Sequence, residues 1–99
     1  MNHLNSFLIE GVIAKTPEYS EEKKQCIFTI ESYRFTTANG EARKKVNIFT
    51  VIANGKNAKE CSEKKKGNYI RVVGRLDYTK DNAVFLEAEN IEFKQQGAK

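Results

Sequence analysis

The sequence of 99 residues has no tryptophan, one proline, one histidine and two cysteines. Each scarcity removes a class of chemistry. The only histidine, His3, sits near the start of the chain, so no cluster of histidines is available for a metal site and no Cys-His pair can be placed together. Cys26 and Cys61 lack the paired spacing of a zinc site and read as two reduced thiols. There is no Ser-His-Asp set and no glycine-rich phosphate loop, which leaves no enzyme reading and implies no cofactor. No apolar run approaches the length of a membrane span, and the opening MNHLNSFLIEG is broken by Asn5, Ser6 and Glu10, unlike a signal peptide. The expectation is a cytoplasmic, nucleoid-associated protein with no membrane partner.

What is present is globular and basic. The hydrophobic fraction is 39% and the charged fraction 30%, enough apolar material for one modest core and too much for a disordered chain. The net charge is +4, which points towards an anionic partner without naming it. Basic residues cluster at 43–45 and 64–66, and acidic residues collect at 18–22 and 87–92.

Patterning divides the chain into short elements. Residues 4–14 read as a first strand, with Leu4, Ser6, Leu8 and Glu10 on one face, Phe7 and Ile9 on the other, and Gly11 marking a bend. KTPEYSEEKKQ reads as a polar loop. Residues 25–35 form a second strand, Asn39-Gly40 marks the turn within the connection TTANGEARK, and residues 45–53 form a third strand. NGKNAKECSEKKKGN then favours a short helix over about 56–65, stopped by Gly67, with Ala58 and Cys61 facing the core. Residues 68–79, with a second bend at Gly74, and 83–94 complete the set.

Five bent strands with one short helix between the third and fourth describe an all-β OB-fold, a Greek-key barrel, over 1–94, followed by a short extension over 95–99. This architecture binds oligonucleotides or oligosaccharides on strands two and three and on the loops one–two and four–five.

ESYRFTTANGEARKK, residues 31–45, bears on that use. Tyr33 and Phe35 lie on the same side of their strand, with Arg34 on the other. If Phe28 and Ile30 face the core, Tyr33 and Phe35 face outward and offer stacking surfaces for bases. The alternative is an aromatic lining at the barrel mouth. Arg43, Lys44 and Lys45 adjoin the turn and are candidate phosphate contacts. Lys64, Lys65 and Lys66 read as a solvated helix end.

Three segments resemble the bacterial single-stranded DNA-binding protein family. MNHLNSFLIEG resembles the family's opening, FTIESYRF its second strand, and GKNAKECSEKKKGNYIRVVGRL, residues 55–76, its helix and fourth strand. The resemblance implies single-stranded DNA as partner, a homo-oligomer (tetramer or dimer), and association with replication or repair proteins. It also implies that Arg71, Arg75 and Tyr78 border the DNA path. The sequence departs from the family at Ile48, where a base-stacking aromatic is common, and in a short four–five loop. It ends in FKQQGAK, where members usually continue into an acidic tail; either such a tail has been removed from this sequence, or the chain resembles tailless relatives such as primosomal replication protein N.

The reading is therefore a DNA-binding site of Tyr33, Arg34, Phe35, Arg43, Lys44, Lys45, Arg71, Arg75 and Tyr78, acting without sequence preference in replication, recombination or repair. The alternative is a protein-interaction module of primosome assembly with weak DNA binding. Oligomerisation is expected to cover apolar surface such as the face of Phe7 and Ile9.

Overall fold

The structure is a computed structural model and describes residues 3–81 and 83–94. The chain runs β1 (Phe7–Ile13), β2 (Glu18–Ser20), β3 (Gln25–Ala38), β4 (Glu41–Asn54), α1 (Gly55–Ser62), β5 (Tyr69–Tyr78) and β6 (Val84–Lys94). The expected extension over 95–99 lies outside the described residues.

The strand order is β1-β5-β6-β4-β3-β2, and an additional pairing of β1 with β3 closes five strands into a barrel. β4 and β6 are parallel and the other pairs antiparallel. With one helix between the third and fourth long strands, this is the OB-fold topology expected. Five long strands lie where the sequence places them. The sixth, β2, falls in the segment read as a loop. It is only three residues long and pairs with the first residues of β3 from Gln25 to Ile27, so pairing and not periodicity creates it.

Alternation builds the core. Cys26, Phe28 and Ile30 on β3, Val51 and Ala53 on β4, and Ile70 and Val72 on β5 all point inward and are buried. Helix α1 seals one end with Ala58 and Cys61, both fully buried. It stops at Ser62, earlier than expected, because Asn68 Oδ1 accepts from the amide of Lys65 at 2.8 Å and turns the chain towards β5. Lys64, Lys65 and Lys66 therefore follow the helix instead of forming its last turn. Lys64 Nζ lies 4.5 Å from the centre of the Phe93 ring.

Two glycines are set by close approach. A Cβ on Gly11 would strike the carbonyl of Glu31, and one on Gly74 the carbonyl of Glu87. The β5–β6 ladder shifts register between Val73 and Gly74, a bulge that bends the pair.

The face expected to await a partner is covered within the subunit. Phe7 and Ile9 pack against the core, because β1 turns its odd-numbered residues inward. On β1 the exposed apolar residue is Leu8, 69% exposed on the opposite face, and Leu4, just before the strand, is 95% exposed.

β3 and β5 are both antiparallel to β1, so they run in the same direction. The turn at 39–40 and the last residues of β5 therefore lie at one end of the barrel and α1 at the other. The β3–β4 hairpin is longer than the sequence implies, with fourteen residues in each strand. Its turn is Asn39-Gly40, with φ of 53° and 78°, the left-handed pair of a type I′ turn.

Candidate nucleic-acid interface

Register decides which hairpin residues share a face. Tyr33 opposes Val46, Arg34 opposes Lys45, Phe35 opposes Lys44, and Thr36 opposes Arg43. One face therefore carries Tyr33, Phe35, Lys44, Val46 and Ile48. The other carries Arg34, Arg43 and Lys45.

The aromatic face is ordered by its own contacts. The Tyr33 and Phe35 rings meet edge to face, with centroids 5.9 Å apart and planes at 83°. Lys44 Nζ sits 4.3 Å from the centre of the Tyr33 ring. Tyr33 is 54% and Phe35 69% exposed, which settles that they are neither core nor a buried strand end. Val46 and Ile48 extend this strip towards the barrel and are also exposed. Reasoning from sequence leaves Val46 out, since its place beside Tyr33 depends on the cross-strand register.

The opposite face is basic. Arg34 and Lys45 stand directly across the ladder, a like-charge pairing that costs stability unless an anion offsets it. Arg43 lies further towards the turn, with Nη2 4.0 Å from Glu41. The basic run 43–45 is thus split, Lys44 going with the aromatics and its neighbours to the reverse side.

The remaining candidates on β5 are dispersed. Arg71 is held by Glu10, to which its Nε and Nη2 donate, and its Nη1 lies 3.7 Å from Glu92. The hydrogen bonds it donates to Glu10, chiefly, raise the guanidinium's pKa further. The charge of Arg71 is spent across β1, β5 and β6. Arg75 is exposed, and Tyr78, 65% exposed, stands at the same end of the barrel as the hairpin tip.

Beside the aromatic strip lies an open groove of about 420 Å³. β1 and β3 pair at Val12 with Glu31 and Ile13 with Ile30, with Ala14 N–H donating to the Thr29 carbonyl beyond them, and on the other side of Val12 the strands separate. Leu8, Val12 and Glu31 line the gap, and Tyr33 and Tyr69 flank it. A second groove, between β2 and α1, is lined by Lys24, Lys56 and Lys59, together with Glu21 and Glu63. Among the described residues no group of three His, Cys, Asp or Glu side chains could hold a metal ion, and no helix is long and apolar enough to cross a membrane.

A family model for the single-strand binding protein family matches residues 4–85. The chain belongs to this family. Its members bind single-stranded DNA, and that is the class of activity the fold carries here. A search of curated protein sequences returns no match. Among solved structures, a small single-stranded DNA-binding protein from Streptomyces coelicolor is 23% identical, with a TM-score of 0.75 over 95% of this chain and 96% of that one. A Plasmodium falciparum SSB in complex with ssDNA is 14% identical, with a TM-score of 0.78 over 96% of this chain and 98% of the other. A deletion mutant of the Thermus aquaticus single-stranded DNA binding protein is 23% identical at a TM-score of 0.77, covering 95% of this chain and 52% of that one. At these identities the structural likeness supports the fold.

Proposed function

We propose that this single-strand binding domain holds DNA on the β3–β4 hairpin, without reading sequence in most of its contacts. Bases stack on Tyr33 and Phe35, and Lys44 neutralises a phosphate beside them. Arg34, Arg43 and Lys45 take phosphates where the strand passes around the hairpin, and Arg75 and Tyr78 extend the path at the same end of the barrel. Arg71 is left out of this set because Glu10 engages it. The observation that carries the reading is the exposed edge-to-face pair of Tyr33 and Phe35 with a lysine over the ring.

A strand held this way is shielded from re-annealing, which fits a role in replication, recombination or repair. It also fits action on nucleoid DNA in the cytoplasm and a non-enzymatic mode of working. Leu4 and Leu8 support self-association as a dimer or tetramer, since such exposed side chains gain from cover. The aliphatic Ile48, 62% exposed on the stacking face, favours the second reading, a protein-docking OB module with weak DNA binding. Fluorescence anisotropy with a labelled dT oligomer separates the two. Micromolar or tighter affinity, weakened by Tyr33→Ala and Phe35→Ala, supports the first. Affinity indifferent to both substitutions overturns it.

A further inference from the structure

We infer that the groove between β1 and β3 is a base-reading subsite, in which the Glu31 carboxylate takes the Watson–Crick edge of an unpaired guanine. The inference rests on the single-stranded DNA reading and adds to it one position of base preference.

The argument starts from placement. Glu31 lies two residues before Tyr33 on the same face of β3, directly across the ladder from exposed Ile48. It is the last β3 residue paired to β1, so it stands where the groove opens. Gly11 fixes its height, because β1 crosses against the Glu31 carbonyl too closely for any side chain. Tyr33 belongs to both the stacking strip and the groove, so a strand lying on the strip leads a base into the gap.

Charge then decides which part of the nucleotide enters. Among the described residues no ion pair or hydrogen bond engages the Glu31 carboxylate, whereas its neighbour Glu10 is matched by Arg71. Glu10 lines the same groove, so two carboxylates face an entering phosphate there, and the apolar side chains of Leu8 and Val12 offer it nothing. The cations for the backbone, Lys44 first, are further along the hairpin. A base is thus turned inward and its phosphate outward.

The donor pattern selects the base. An ionised carboxylate only accepts, through two oxygens side by side. Guanine presents N1–H and the N2 amino group in parallel, the same fork that makes arginine a two-point partner for carboxylates. Thymine offers a single N3–H between two carbonyl oxygens, which the carboxylate repels. Cytosine and adenine each offer one amino group. Unpaired bases are free to be read on this edge.

The test uses dT oligomers of equal length that are unmodified, carry one dG, or carry one deoxyinosine. Deoxyinosine lacks only the N2 amino group, so shape and charge stay constant. The protein is expected to bind the dG oligomer about tenfold more tightly than the deoxyinosine oligomer. Glu31→Ala should equalise the dG and deoxyinosine oligomers, whose stacking surfaces match, so the advantage in question is that of dG over deoxyinosine. Glu31→Gln, which keeps one acceptor, should restore part of the difference, and Glu22→Gln, far from the groove, should retain all of it. Equal binding of dG and deoxyinosine by the unaltered protein, or a dG advantage that survives Glu31→Ala, overturns the inference. If the dT oligomer still binds and depends on Tyr33, the stacking site stands by itself. If the dT oligomer does not bind at all, both readings fall.

Discussion

Arg71 donates from Nε and Nη2 to one carboxylate oxygen of Glu10, at 3.1 and 2.8 Å, linking β5 to β1 across 61 residues of sequence. A guanidinium placed this way is a strand tie. Arg71→Ala is therefore expected to leave both the affinity for a dT oligomer and its salt dependence as they are, with a small fall in melting temperature. A shallower salt slope in this variant would place Arg71 on the DNA path after all.

The aromatic pair should behave in the opposite way. Tyr33→Ala and Phe35→Ala are each expected to weaken DNA binding by roughly 1–3 kcal/mol, with melting close to that of the unaltered protein. Phe28→Ala, two turns of the pleat away on the buried face, should cost about 3–5 kcal/mol of stability instead. Anisotropy and thermal melting on the same three variants check this. Sharp melting losses in the first two would make them structural.

Phosphate contacts are counted by salt. The logarithm of the affinity should fall linearly with the logarithm of salt concentration, and each contacting cation contributes a slope of about −0.7 on single strands. Arg34→Ala, Arg43→Ala and Lys45→Ala should each flatten the slope by about that amount. Titrations at several salt concentrations measure it, and an affinity indifferent to salt would remove the electrostatic half of the mechanism.

The buried thiols make a pH prediction. Burial, with Cys26 nearby, pushes the Cys61 thiol up to about 12 from an ordinary value of 9.0. The unfolded chain loses this proton near its ordinary value while the folded chain keeps it. The contribution is thus fully present below pH 9.0 and lost as pH rises towards about 12. Alkaline melting curves should be steeper for the unaltered protein than for Cys61→Ala, by on the order of one kcal/mol per pH unit. Neither thiol should react with an alkylating reagent at neutral pH until the protein unfolds.

Much of this architecture was legible in the sequence, and the exceptions have physical causes. The alternation of Cys26, Phe28 and Ile30 marks β3 because burial imposes a period of two, and Asn39-Gly40 marks the turn because its backbone requires left-handed φ. The alternation fails at Thr36–Ala38 and Glu41–Lys44, where the hairpin leaves the barrel and the ladder continues without burial. The three residues of β2 exist only because β3 is beside them. In the site, parity alone turns Tyr33 and Phe35 outward. Assigning Lys44 to them and its neighbours to the reverse face needs the pairing of Phe35 with Lys44. Glu10 and Arg71 are too far apart in sequence for any local pattern to join them, and Glu31 gains meaning only from the gap beside it.

The barrel's closure also has a mechanical consequence. One sheet is the β2–β3–β4 unit and the other the β1–β5–β6 unit, each with long internal ladders. They are sewn together by two seams of two residue pairs each, Val12–Glu31 with Ile13–Ile30 and Val51–Leu86 with Ile52–Glu87. A seam holds far fewer hydrogen bonds than the ladders inside either sheet, so once the exposed hairpin tip has exchanged, opening of the barrel itself should run along the seams. The two sheets act as stiff plates on soft hinges, and Glu31 stands on one of the hinges. Whatever fills the gap beside it clamps the plates together, and filling that gap would register as slower exchange along both seams.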